Sequence, residues 1–290
     1  MRWAMLLLFI HSVLFSIAAI PPGSAREARR INILVSSKTD KFDIITLSVR
    51  VRAKLNALFS RGRLHVISAS SSKDLAKKAS RLLNKKQAMV GNLWFDSHGH
   101  FARRYSLIEV GKDEFSYKNI NDSAATRWLG MLAPFTDTLT TVGLGSCYSG
   151  ATYATPSMER FAARNMNGDS LMMGMSRVFQ NASVYGSESW VMSGPGIFSS
   201  TYALSGYPPR KKFRDPFFKP VWETLGVWNA YDGRTKTLRQ VNTVCLNPAG
   251  DIGVLPNSYI ERKGKKKKQQ KKLGNLKPGN YNLGFMFQFN

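Results

Sequence analysis

The sequence predicts an α/β domain, a mostly parallel sheet with helices on both faces. Two observations carry this. From residue 31 onward, short apolar runs alternate with segments whose apolar residues recur at spacings of three and four, so strand, helix and strand follow one another as crossover units. The chain has 290 residues of globular composition without an internal repeat, enough for one large domain with a small extension.

The elements follow in order. Ile31–Val35 reads as the first strand, and Ile44, Leu47, Val51, Leu55 and Leu58 then mark the inward face of a helix. "RGR" at 61–63 ends it, and Leu64–Ile67 is the second strand. The serines of "SASSSKDLAKKASRLLNKK" offer an N-cap, and Leu75, Ala79 and Leu82 share one helical face. Met89–Phe95 is the third strand. "SLIEVGKDEFS" predicts a hairpin turning at Gly111–Asp113. Residues 122–132 suit a helix with Trp128, Leu129 and Leu132 inward, and Leu139–Leu144 is the fourth strand. Residues 158–165 and 170–179 suit helices, and Ser183–Gly186 is a fifth strand. Beyond residue 191, glycine, proline and basic residues predict long loops. A short helix over Trp222–Tyr231 and a late strand over Val241–Leu246 complete the body.

The two ends differ from this pattern. Arg2, the apolar stretch "AMLLLFIHSVLFSIAAI" and the small residues Gly23–Ala25 predict an export signal over residues 1–25, and hence a periplasmic or secreted protein. An uncleaved N-terminal anchor is the alternative. "ERKGKKKKQQKK" is a basic low-complexity run. The closing "NYNLGFMFQFN" has a strand pattern, read as an edge strand returning to the sheet, with an outer-membrane sorting signal as the weaker reading.

Lys+Arg 42 against Asp+Glu 18 gives a net charge of +24, which favours phosphates, anionic lipid or acidic polymers. No finger spacing, glycine-rich phosphate loop or aromatic platform points to specific nucleic acid. An anionic envelope surface met by the lysine run at 262–272 fits an exported protein better. The methionines at 166–175 read as core filling, and His65 as structural.

The chemistry concentrates after the third and fourth strands, which run into "WFDSHGH" and "GLGSCYSG". If those strands are parallel neighbours, about 4.8 Å apart, His98 and Cys147 emerge at one sheet edge, where open α/β sheets bind ligands. A thiolate attacks carbonyls, and a histidine takes its proton and later protonates the leaving amine. The amides of Gly99 and Cys147 are the candidate oxyanion donors. Other readings of these residues stay open: a Cys147–Cys245 disulfide, a buried inert thiol, or zinc held by His98, His100 and Cys147 with Asp96 nearby.

The pair resembles the catalytic centre of the caspase-like cysteine peptidases, whose pattern is an apolar strand ending in His-Gly and a second ending in a small residue and Cys. His98-Gly99 and Ser146-Cys147 fill those places, 49 residues separate His98 from Cys147, and "SCYSG" is similar to the metacaspase form. The resemblance covers about residues 31–190. It implies a caspase-like three-layer sandwich over 26–260, followed by the basic segment and terminal strand at 261–290. It also implies a thiol endopeptidase acting on protein or peptide substrates without a cofactor. Ser187, Glu188 and Trp190 stand where such proteins build the specificity wall. Two departures matter: Ser149 replaces the glycine of the caspase form, and Gly145 replaces the aspartate metacaspases use to hold a basic side chain. The loop "PPRKKFRDP" is a candidate for self-cleavage. An inactive module docking through its basic tail is the alternative function.

Overall fold

The computed structural model describes residues 29–38, 44–99, 105–152, 166–188, 190–192, 204–206, 228–241 and 244–254. The expected export signal, the 158–165 helix, the 208–216 loop, the lysine run and the terminal strand lie outside the described residues, as does His100.

Seven strands form one sheet: β1 (Arg30–Ser37), β2 (Leu64–Ala69), β3 (Met89–Asp96), β6 (Thr141–Gly145), β7 (Ser183–Ser187), β10 (Trp228–Asp232) and β11 (Thr237–Val241). Their order is β11-β10-β7-β6-β3-β1-β2. The five strands from β2 to β7 are parallel, and β10 and β11 run antiparallel at one edge. Three small two-stranded sheets accompany them: β4 (Leu107–Val110) with β5 (Asp113–Ser116), β8 (Trp190–Met192) with β9 (Leu204–Gly206), and β12 (Val244–Leu246) with β13 (Ile252–Val254). The β4–β5 hairpin lies where the sequence places it.

Among the described residues, four helices cover both faces. Helices α2 (Ser72–Lys86), α3 (Ser123–Gly130) and α4 (Gly168–Val178) bury Leu75, Ala79, Leu83, Leu129, Leu171, Met172 and Met175 against Ile31, Ile33 and Val35 of β1 and Val142 and Leu144 of β6. Met172 and Met175 of α4 fill the core, as expected, and Met173 is half-buried. Ser71 caps α2 by accepting the Asp74 amide at 3.1 Å, a contact worth about 1 kcal/mol. The opposite face holds α1 (Ile44–Phe59) and the β12–β13 hairpin around Leu34, Leu64 and the Trp94–Trp228 pair, whose ring centroids are 5.8 Å apart.

Four expectations are corrected. Helix α1 does not turn its apolar stripe inward: Val51 and Leu58 are exposed and Leu55 is half-buried, while Ala53, Asn56 and the half-buried Ala57 meet the sheet. Small residues let the helix axis come close to Leu34 and Leu64, which an inward leucine face would prevent. The Ile44 and Leu47 side chains lie outside the described residues. Trp228–Asp232 is strand β10 rather than the end of a helix, because it pairs with β7 on one side and β11 on the other; residues 222–227 are not described. The late strand over 241–246 is divided, its first residue ending β11 and 244–246 forming β12, and Leu139 is an exposed turn residue ahead of β6.

The β12–β13 hairpin is tied to the sheet chiefly through the buried Asn32 amide, and Asn92 Oδ1 accepts the Ile252 amide at 3.3 Å. Asn32 Nδ2 donates to Ala249 O and Asp251 Oδ1, both at 2.8 Å, while its Oδ1 accepts the amide and the side chain of Asn92. The β1–β3 register shifts at this residue.

Candidate active site at the carboxyl edge of β3 and β6

Strands β3 and β6 are parallel neighbours, with Asp96 paired to Gly145 at their carboxyl ends. His98 lies two residues beyond Asp96, and Cys147 two beyond Gly145. Both therefore leave the same sheet edge at the same level, next to the reversal of strand order between β1 and β3. His98 is exposed. The segment that carries it is pinned by Ser97, whose hydroxyl accepts the Glu109 amide of β4 at 3.1 Å.

The Cys147 turn is held from every side. Ser146 Oγ donates to Leu107 O at 2.6 Å, and Ser149 Oγ donates to Leu144 O at 2.7 Å. Ser106 Oγ donates to Tyr148 O at 2.7 Å and Ala151 O at 3.1 Å. Tyr148 adopts φ 61°, a left-handed conformation costing a non-glycine residue on the order of 1 kcal/mol, and its ring is buried with Ala151 and Met166. The Gly150 amide donates to Ser187 O at 2.9 Å, and the Ser187 amide to Ser149 Oγ at 3.2 Å. Gly150 also packs so closely on Gly186 that an added Cβ would come within 2.2 Å of its carbonyl oxygen.

Cys147 is a free thiol, so the disulfide to residue 245 is not formed; the Cys245 side chain lies outside the described residues. The sulfur accepts the Val191 amide of β8 at 3.4 Å and points back to Val191 O at 3.8 Å. Burial pushes the thiol pKa up to about 11, although the N–H groups of Val191, Cys147 itself and Gly99 favour the thiolate. Two of these three N–H groups are the ones expected to receive an oxyanion. Among the described residues no group of three His, Cys, Asp or Glu side chains is placed to hold a metal ion.

Of the residues expected in the specificity wall, Ser187 is fully buried and its backbone braces the Cys147 turn. The backbone of Trp190 belongs to β8; its side chain lies outside the described residues. Glu188 is a buried acid, only 4% exposed. Gln240 Nε2 donates to both its oxygens, at 3.1 and 3.2 Å. Burial raises its pKa, and hydrogen bonds from Gln240 and Asn229 partly offset the shift. Asn229 Nδ2 also donates to Gly150 O at 2.8 Å, which links the Cys147 turn to β10. Asn229, Gln240 and Val191 are not legible as site residues in the sequence. Asn229 stands in a segment with helical pattern, Gln240 on an exposed strand, and Val191 in a stretch rich in turn residues.

A scan against family models finds no match to this chain, and a search of curated proteins finds none.

Proposed function

We propose that the chain is a cysteine endopeptidase of caspase-like architecture, with His98 and Cys147 as its dyad. The single observation behind this reading is the β3–β6 register, which sends both residues off one edge at one level. Cys147 attacks the scissile carbonyl and forms a thioester, and the His98 imidazole carries the thiol proton to the departing amine. Water, deprotonated by the same imidazole, hydrolyses the thioester and restores the thiol. The Gly99 and Cys147 amides stabilise the oxyanion; one such donor is worth about 3 kcal/mol. The five parallel strands with an antiparallel neighbour, and helices on both faces, fit the sandwich that the motif implies.

Glu188 is the residue suited to a basic substrate side chain, since burial makes its charge costly and a cation would relieve that cost. Export by the N-terminal segment and cleavage of the 208–216 loop belong to this reading as well. One observation favours the alternative, an inactive module: the resting thiol is half-buried, neutral and held by Val191. A peptidyl acyloxymethylketone separates the two. The peptidase reading expects Cys147 to be alkylated, with loss of labelling in His98→Ala. Equal labelling of both proteins, or none of the folded wild type, rejects the dyad.

A further inference from the structure

The outer side of α1 carries an apolar stripe that the core does not use. Leu58 and Phe59 are 77% and 73% exposed, and Val51, about two turns before them, is 47% exposed. Basic residues accompany them in the chain. Helix α1 contains Arg50, Arg52 and Lys54 and no acid. The turn after it carries exposed Arg61 and Arg63, and α2 ends at Lys85 and Lys86. These pieces meet at the amino edge of the sheet. The Met89 amide donates to Arg29 O and the Asn32 amide to Arg63 O, both at 2.8 Å, which gathers the starts of β1, β2 and β3. The Arg29 guanidinium lies 3.9 Å from where a Cβ on Gly62 would stand, and the charges of Lys86 and Arg29 both act on His65. Among the described residues, the carboxylates beside these bases, Asp137 and Asp251, are already engaged with Arg30 and Arg63.

Arg61 sharpens the point. Its φ is 53°, a conformation that glycine adopts more cheaply. The backbone therefore does not call for an arginine there.

We propose that this face, the outer side of α1 with the α1–β2 turn and the end of α2, docks on an anionic lipid bilayer. Leu58, Phe59 and Val51 enter the headgroup boundary, and Arg29, Lys54, Arg61, Lys85 and Lys86 lie against lipid phosphates. Apolar residues flanked by lysine and arginine, without acids, suit that interface. So docked, the carboxyl edge with His98 and Cys147 faces away from the lipid. The inference does not depend on the peptidase reading.

The test uses the full chain and phosphatidylcholine vesicles with and without phosphatidylglycerol. Hydrogen exchange over residues 51–63 is expected to slow on the anionic vesicles, and the affinity to fall with added salt. Leu58→Ser with Phe59→Ser, and separately Arg61→Gly with Lys85→Gln and Lys86→Gln, should each weaken binding by about tenfold or more. Lys236→Gln with Arg239→Gln, two exposed positions at β11 on the far edge of the sheet, should bind as the wild type does. All sites are at the surface, so the variants fold. Unchanged exchange over 51–63, or rim variants that bind like the wild type while neutralising Lys265–Lys268 abolishes binding, overturns the proposal. Self-association of the protein that Leu58→Ser with Phe59→Ser abolishes, without vesicle protection of 51–63, also overturns it.

Discussion

The α-carbon of Gly99 lies directly against the backbone of Cys147: a Cβ built there would stand 2.1 Å from the Cys147 carbonyl oxygen and 2.9 Å from its amide nitrogen. Both contacts are to backbone atoms, so no side-chain rotation relieves them. The His98 segment and the thiol turn are thus in register only because residue 99 has no side chain. Gly99→Ala should displace the turn and cost about 2–4 kcal/mol, as overpacking against rigid backbone does. On the peptidase reading it should also lower kcat/KM by at least about a hundredfold, since a misplacement of about 1 Å costs that much. Thermal melting and peptide hydrolysis check the two effects; a variant with wild-type stability would show that the two segments separate easily.

Burial holds Cys147 protonated, with a pKa pushed up to about 11. Iodoacetamide should therefore alkylate the resting protein at about pH 7.5 more slowly than it does a free cysteine, with the rate rising towards pH 11. The same shift bears on stability. The folded pKa is raised above the unfolded one, so the contribution is complete below the thiol's ordinary range and is lost as pH climbs to about 11. Cys147→Ala should reduce the alkaline loss of Tm in that window. An alkylation rate near neutral pH matching that of free cysteine would show the thiol to be less buried than described.

The edge that carries His98 and Cys147 is legible in the sequence because strand, turn and motif agree there. Apolar runs at 89–95 and 139–144 give neighbouring parallel strands, and the small residues of "GSCYSG" allow the close packing of Gly150 on Gly186. The buried face of α1 escapes such a reading because periodicity weights Val51 and Leu58 above Ala53 and Ala57, although small residues permit the closer approach to Leu34 and Leu64. Strand β10 escapes it because "WNAYD" is no better as a strand than as a helix in isolation; two flanking ladders decide it. The β12–β13 hairpin depends on Asn32, 217 residues before Ala249 in the chain, and no local pattern reports such a partner.

Asn229 joins two parts of the site: it donates to Gly150 O of the Cys147 turn and supports Glu188. Asn229→Ala leaves a buried carbonyl without this donor, at a cost of about 1–3 kcal/mol. The Cys147 turn should loosen, so on the peptidase reading kcat should fall about tenfold or more with KM for a neutral peptide little changed. A KM effect alone would mean that Asn229 only shapes the pocket.

Glu188 is buried with amide donors on its oxygens, and burial raises its pKa. A carboxyl whose folded pKa is raised weakens the fold when ionised, and stability is regained as pH falls through the folded value. Glu188→Gln should therefore stabilise the protein near neutral pH by about 1 kcal/mol, a Tm increase of about 2–4 °C, and flatten the acid side of the stability profile. If Glu188 also receives a basic side chain, the same variant should lose about tenfold or more in kcat/KM on substrates with Arg or Lys before the scissile bond and little on others. Equal activity on both substrate sets would remove Glu188 from the pocket and leave it as a structural acid.

Asn32 offers a test of the fold that leaves the site untouched. It uses both amide hydrogens and its oxygen, joining β1, β3 and the β12–β13 hairpin through four hydrogen bonds. Asn32→Ala strands the Asn92 amide and the Ala249 carbonyl, while Asp251 Oδ1 keeps Arg63 at 2.8 Å. The loss should be about 3–5 kcal/mol, at the high end for a single substitution. Asn32→Asp keeps the acceptor for Asn92 but sets a second carboxylate against Asp251, so it should also destabilise, and more so as pH rises through the carboxylate range. Urea melts at about pH 4 and about pH 7, either side of most of that range, check this. If the protein carrying Asn32→Asp proved more stable at the higher pH than at the lower, the hairpin would be held by its apolar face on Trp94 and Leu64 rather than by this amide.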